Sequence, residues 1–309
     1  MASLGGGVLV SLQTRMNAGL AVEQDSGWYA AAWSFGSGFL VITPIALLNP
    51  RVRTGLGRFF GAIGAGRLPW WTAVGGTIGA VSVLAQGLVA PVVGVALFAV
   101  VGIAGQSIGS VTVDRTGFLG MPKRGLTWPR LGGAVLVVVA VAIASWPELG
   151  GGAVVWGLLL LPFLTGAVRG VQQAINGRIR EESGSAVAAT FVNFTGGAVV
   201  LVLAALVAWA VSGRGPVAVS EPWLLAGGML GLIHIALQAY GVRRLGTLVL
   251  GLAMIAGQLA ASVAIDLVLP LPGTVFGAWE LAGAILAFVA VAVAALPATP
   301  RARARPTRV

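Results

Sequence analysis

Residues 71–114 read WTAVGGTIGAVSVLAQGLVAPVVGVALFAVVGIAGQSIGSVTVD, and residues 223–266 read WLLAGGMLGLIHIALQAYGVRRLGTLVLGLAMIAGQLAASVAID. Laid over each other, the two stretches share Trp71/Trp223, Gly75-Gly76/Gly227-Gly228, Gly79/Gly231, Gln86/Gln238, Gly94/Gly246, Gly105-Gln106/Gly257-Gln258, Ser110/Ser262 and Asp114/Asp266, every pair displaced by 152 positions. Each stretch holds two apolar runs of about 20 residues, the length needed to cross a bilayer core of about 30 Å. Long continuous runs of this kind span as helices, because every backbone polar group must be satisfied within the segment.

The correspondence extends outward. Gln13-xxx-Asn17 and Phe35-xx-Gly38 recur as Gln172-xxx-Asn176 and Phe194-xx-Gly197, displaced by 159, while Gly133 and Leu136 recur as Gly283 and Leu286, displaced by 150. The chain therefore reads as two repeats, residues 1–149 and 150–298, followed by a basic tail, 299–309. Ten spans are expected: 3–21, 29–48, 70–89, 92–112, 131–147, 153–177, 186–211, 222–241, 246–267 and 274–296. They use up most of the 309 residues, of which 57% are hydrophobic and only 9% charged. A soluble domain carries about 25% charged residues. Small-xxx-small pairs such as Gly75/Gly79 and Gly227/Gly231 suit close helix approach in lipid.

Five spans per repeat is an odd number, so the second repeat enters the membrane from the opposite side. The basic residues agree. Loop 2–3 carries Arg51, Arg53, Arg58 and Arg67, whereas its mate, loop 7–8, carries only Arg214. Loop 4–5 carries Lys123, Arg124 and Arg130, and its mate carries none; loops 6–7 and 8–9 carry Arg178/Arg180 and Arg243/Arg244, and their mates carry none. Under the positive-inside rule this loading requires inverted halves with both termini in the cytoplasm. The net charge of +10 is thus explained by topology, without a nucleic-acid partner. The absence of cysteine excludes disulfides and thiol chemistry.

The inverted pair of five-helix halves, with Gln-xxx-Asn in the first helix, Phe-xx-Gly in the second and Gly-Gln…Asp in the fourth, resembles the drug/metabolite transporter superfamily and within it the YdcZ-type inner-membrane exporters, here as a fused double repeat. The resemblance covers nearly the whole chain. It implies a bacterial inner-membrane exporter whose central cavity is lined mainly by helices 1, 3, 4, 6, 8 and 9.

Polar side chains inside a bilayer are costly unless they face protein or water. Here they fall on those same six helices at spacings that share a face: Gln13 and Asn17; Ser82 and Gln86; Gln106 and Ser110; Arg169, Gln172 and Asn176; His234 and Gln238; Gln258 and Ser262. The expectation is a shared substrate-binding cavity; interhelical hydrogen bonding is the alternative for each amide. Arg169 lies within about four residues, roughly 6 Å, of the middle of its helix, which makes it a candidate for an anionic group on the substrate or for a structural ion pair. Arg15 lies on the opposite face of helix 1 from Gln13 and Asn17 and is expected to snorkel to the outer interface. Asp114 and Asp266, at opposite membrane ends, are candidate gate or helix-end residues. Glu280, expected about six residues inside helix 10, is a candidate for proton exchange or a structural partnership, and His234 for titration or hydrogen bonding.

Helices 1 and 6 have no acid over their expected spans. The small multidrug members of the superfamily use a glutamate in the first helix for cations, so this chain favours a neutral, zwitterionic or anionic metabolite. The leading expectation is a secondary transporter, an exporter, working by alternating access between inverted repeats, as a monomer or homodimer and with protons as a candidate coupling partner. A passive channel or facilitator, and a non-transporting scaffold subunit, are the other readings. Enzymes fit poorly: the two repeat-mate acids lie at opposite faces, one histidine without cysteine makes no metal cluster, and no Walker-type loop is present. No cofactor is implied.

Overall fold

The computed structural model describes residues 2–120, 123, 127–146, 152–274 and 276–296; within these, the side chains of 2, 3, 114, 120, 130, 152–155, 236 and 238–253 are left aside. The described helices are α1 (Ala2–Glu23), α2 (Gly27–Leu48), α3 (Pro50–Gly64), α4 (Gly76–Thr116), α5 (Trp128–Ala144), α6 (Gly152–Ser183), α7 (Ala186–Ser212), α8 (Gly227–Val268) and α9 (Ala278–Ala295), and no strand occurs among the described residues. The chain is an all-helical membrane protein, and the elements follow the two-repeat order.

The repeat reaches the caps. Ser26 caps α2 by accepting from the Tyr29 N–H, and Ser185 caps α7 by accepting from the Ala188 N–H. These serines are again 159 apart, and each fills the N-cap role that serine favours. Both α2 and α7 then run through apolar sequence, the 22 residues of α2 giving about 33 Å, enough for one crossing.

α4 and α8 were expected as two spans each, joined by short loops. Instead each is helical almost throughout. α4 has 41 residues, about 62 Å of helix, twice the bilayer core. It reverses at Gly94, whose φ of 81° and ψ of 166° lie in a region open only to glycine. Pro91, three residues earlier, weakens the helix just before that point. The packing shows the reversal. Before it, Gly75 and Gly79 meet Ile175 and Gln172 of α6, so the strands of sequence run antiparallel; after it, Gly105 and Gly109 meet Phe163 and Ala167, running parallel. α8 repeats the arrangement on α1. Gly227 and Gly231 meet Asn17 and Gln13, antiparallel, while Gly257 meets Leu4 and the carbonyl of Gln258 accepts from Ser11, running parallel. α4 and α8 thus supply two crossings each, which brings the number to ten.

Loop 2–3, expected as an arginine-bearing connection, forms the helix α3. Pro50 occupies its first turn, and the Asn49 side chain caps it by accepting from the Arg51 N–H. Val52, Gly55, Phe59 and Ala62 form its buried face, set against α6 and α7, while Arg51, Arg53 and Arg58 stay at the surface. The period of three to four was present in the sequence, masked by the arginines. The corresponding stretch of the second repeat, residues 213–219, is not helical.

Two pairs of corresponding helices, α2 with α7 and α5 with α9, lie side by side and antiparallel. On α2 and α7, Phe35 packs on Phe194 with ring centroids 5.1 Å apart, and Phe39 on Phe191 at 6.1 Å, one index rising as the other falls. On α5 and α9, Gly133 meets Ala290 and Ala294 while Gly283 meets Ala140 and Ala144, and Trp146 stacks on Trp279. The contacts are also reciprocal: Gly38 sits on Phe194 and its mate Gly197 on Phe35; Gly105 sits on the Phe163 carbonyl and its mate Gly257 on the Leu4 carbonyl. If residue i touches the mate of j, the mate of i touches j. That is the signature of two-fold symmetry, and the antiparallel crossing makes the second half inverted relative to the first.

Charge divides the molecule into two ends. One carries Arg51, Arg53, Arg58, Arg67, Arg178 and Arg180, with Arg178 paired to Glu181 at 2.6 Å and Arg58 donating to the Ser183 carbonyl. The other carries Glu23, Asp25, Glu221, Asp266 and Glu280, with Arg214 near Asp25. α1 and α6 are longer than expected and do carry acids, at their tips: Glu23 accepts from the Ser220 N–H, and Glu182 lies by Arg178.

Candidate functional site

The pairing of helices decides where the polar stripes meet. α1 lies along both limbs of α8, α6 along both limbs of α4, and α1 also crosses α4. Those four elements carry all the substrate-site candidates.

On the side nearer the acidic end, Asn17 Nδ2 donates to Gln86 Oε1 at 2.6 Å, joining α1 to the first limb of α4. Both residues are buried. Gln13, one turn earlier and also buried, lies against Gly231, where the missing side chain leaves room for its amide. On the side nearer the basic end, the repeat mates form a different pair: Asn176 Oδ1 accepts from Asn193 Nδ2 at 3.0 Å, and Gln172 lies against Gly79 next to the Asn193 carbonyl oxygen of the amide. Asn193 stands on α7 and was not among the expected site residues. The displacement of 159 that carries Phe35 to Phe194 carries Ser34 to Asn193, so the signal lay one residue from a motif already in view.

Arg169 Nη1 faces Gln106 Oε1 at 3.5 Å, across from α6 to the second limb of α4. It is partly buried, and no ion pair among the described residues includes it. A guanidinium carries five donors and no acceptor, and among the described residues a single amide oxygen meets them. His234 stands on the first limb of α8. Its Nδ1 donates to the Gly6 carbonyl at 2.8 Å, which leaves Nε2 of the neutral ring as an acceptor. The expected partnership of His234 with Gln238 cannot be described, because the Gln238 side chain lies outside the described residues, as does that of Asp114.

The hydroxyls are spent locally. Ser82 Oγ donates to the Ile78 carbonyl and Ser262 Oγ to the Leu259 carbonyl, each within its own helix. Gln258 is buried, and its backbone carbonyl holds Ser11 Oγ at 2.7 Å. Gln106 and Ser110 are half-buried on the second limb of α4.

Three outer positions are held by protein partners. Asp266, a candidate gate or helix-end residue, is buried near the end of α8: its Oδ1 and Oδ2 accept from the N–H groups of Val95 and Ala96 at 3.0 and 2.6 Å. It caps the helix limb that restarts after Gly94, where four backbone donors would otherwise lack partners. Glu280 is in the first turn of α9, not six residues within it, since Pro272 and Gly273 delay the helix to Ala278; its carboxylate accepts from the Gly277 N–H. Arg15 does reach the outer end, but onto protein: Nε donates to the Leu269 carbonyl at 2.8 Å, and the guanidinium lies 5.6 Å from the Trp223 ring centroid.

A surface concavity of about 630 Å³ lies at the corner of α2 and α3, lined by Pro44, Ile45, Leu48, Asn49, Pro50 and Arg51. It is at the basic end and separate from the polar stripes. Among the described residues, no group of three metal-ligating side chains converges.

No curated protein matches the chain. A family match covers residues 1–143 and again 157–293, the two segments whose helices pack reciprocally in the structure. With a family motif matched twice over nearly the whole length, the chain belongs to the drug/metabolite transporter family described as "Putative inner membrane exporter, YdcZ".

Proposed function

We propose that the protein is a secondary transporter that exports a small polar, zwitterionic or anionic metabolite by alternating access. The basic end faces the cytoplasm, with both termini on that side, as the arginine distribution favours.

The observation that carries the mechanism is the reciprocity of contacts. Two halves with equivalent, inverted packing can exchange conformations, and the exchange opens the opposite face without building a new structure. Support for the substrate class comes from Arg169. A charged group in the membrane interior is by default functional, and one with no carboxylate partner among the described residues suits an anionic group brought in by the ligand. Gln106, Gln172, Asn176 and His234 supply neutral hydrogen-bonding groups around it, and Gln13, Asn17, Gln86, Gln258, Ser82, Ser110 and Ser262 continue the polar lining toward the other side. Asp266 and Glu280 act as structural caps at the outer end in the conformation described; a role for Asp114 in gating at the inner end belongs to the same proposal.

The test is flux in proteoliposomes across a panel of labelled metabolites, with and without a pH gradient. Saturable uptake of an anion or zwitterion that falls in Arg169→Ala supports the reading. Flux that never saturates and ignores the gradient would favour a passive facilitator. No flux for any compound, with a cellular phenotype unaffected by replacing Gln106, Gln258 and Arg169 together, would favour a scaffold.

A further inference from the structure

Three buried polar atoms of the first repeat have no partner among the described residues. Ser145 Oγ stands apart at the end of α5, and the other two, Asn17 Oδ1 and Ser34 Oγ, lie together against Gly227 and Gly228. Both residues are 1% exposed. Buried side-chain polar atoms are overwhelmingly hydrogen-bonded, so two orphans in one region call for a cause.

The second repeat shows what is missing. The mates of Asn17 and Ser34 are Asn176 and Asn193, both displaced by 159, and these mates bond to each other at 3.0 Å. The surrounding helices are placed alike in the two halves. Gly228 sits on the Ser34 carbonyl just as Gly76 sits on the Asn193 carbonyl. Gly227, the residue before, sits against Asn17 Oδ1 itself, so the two orphans border the same two-glycine start of α8. Where the second repeat has an asparagine amide reaching across from α7 to α6, the first has a serine hydroxyl, one bond shorter, reaching from α2 toward α1. The hydroxyl falls short and the acceptor stays open.

We infer that Asn17 Oδ1 and Ser34 Oγ form a substrate subsite that receives an N–H or O–H donor group of the transported molecule. The inference rests on the transport reading and sharpens it. Asn17 Nδ2 already donates to Gln86, and the atom of this residue left without a partner among the described residues is the acceptor Oδ1. Asn193 occupies the equivalent place in the other repeat with its own amide, so the subsite exists on one side of the two-fold only. A donor-bearing ligand thus finds a partner in the half nearer the acidic end and a filled position in the half nearer the basic end. The symmetric scaffold acquires a directional difference through a single side chain.

The experiment uses the full chain in proteoliposomes, comparing wild type with Ser34→Asn and Ser34→Ala, with melting temperature measured on each purified protein. The probes are labelled glycine and urea, each matched with its methylated form lacking N–H groups, trimethylglycine and tetramethylurea, beside the metabolite panel. The expected result has three parts. Ser34→Asn melts a few degrees higher, because the new amide reproduces the Asn176–Asn193 bond. The compounds that the wild type carries are donor-bearing, favoured roughly tenfold or more over their methylated forms. Their uptake falls roughly tenfold in Ser34→Asn, which fills the subsite, and less in Ser34→Ala, which leaves it open. A higher melting temperature with unchanged uptake overturns the proposal, since the gap then holds only water. Equal carriage of methylated and unmethylated probes overturns it too, as does a Ser34→Asn protein that melts no higher than wild type. Failure of the wild type to carry any compound defeats the transport reading itself, an outcome distinct from the other three.

Discussion

The carboxylate of Asp266, near the end of α8, caps the limb of α4 that begins at Val95. Its two oxygens take the N–H groups of Val95 and Ala96 at 3.0 and 2.6 Å, and Gly94, with φ of 81°, makes the turn that presents them. One interaction therefore joins the two repeats and fixes the second limb of α4, which carries Gln106 and Ser110. Removing the oxygens in Asp266→Ala leaves buried backbone donors unpaired and should cost about 2–4 kcal/mol. Asp266→Asn keeps one acceptor and should lose about half as much. Melting of the purified protein in detergent checks the order; equal melting of both variants with wild type would mean the cap is dispensable.

Gly94 gives a second, independent reading of the same turn. Alanine there is forced into a backbone region that only glycine occupies without strain, at about 1–3 kcal/mol, and its Cβ would lie 3.0 Å from Asp266 Oδ2. Gly94→Ala should lower the melting temperature by several degrees, whereas Gly57→Ala, on the open face of α3, should raise or preserve it.

The two-fold relation makes a paired prediction. A methyl group at Gly38 would meet the Phe194 ring, and one at Gly197 the Phe35 ring. Gly38→Ala and Gly197→Ala should therefore destabilise by similar amounts, about 1–3 kcal/mol each. Phe194→Leu should relieve Gly38→Ala more than it relieves Gly197→Ala, and Phe35→Leu the reverse. A double-mutant cycle on folded yield or melting reads the coupling. Rescue indifferent to the pairing would contradict antiparallel packing of α2 on α7.

Arg169 separates a ligand site from a structural ion pair. With Gln106 as its one side-chain partner among the described residues, Arg169→Gln removes a costly charge from the membrane interior and should leave melting unchanged or higher. Uptake of an anionic substrate should fall about tenfold or more. A drop in melting of several degrees would point instead to a structural pair.

Orientation can be read directly, because the chain has no native cysteine. Gly57→Cys on α3 and Ala218→Cys ahead of α8 both occupy exposed positions, at the basic and acidic ends respectively. In intact cells an impermeant maleimide should label position 218 and reach position 57 only after permeabilisation. The opposite pattern would turn the protein over in the membrane.

Much of this architecture is written in one dimension. Hydropathy marks where the chain must be in lipid, since burial of an unsatisfied backbone is prohibitive there. The constant displacements of 152 and 159 mark which residues are equivalent, and the alternation of basic loops marks that the halves are inverted. Such features are local or periodic, so composition and spacing carry them. Three-dimensional packing had to supply the partners. That Asp266 caps Val95 rather than meeting water, that Asn176 bonds Asn193 while Asn17 bonds Gln86, and that α3 buries Phe59 behind a row of arginines all depend on which helix lies beside which. Equivalence between residues says nothing about proximity between them. Hydrogen bonds act over about 3 Å, and residues 170 positions apart are brought to that distance only by the folded bundle.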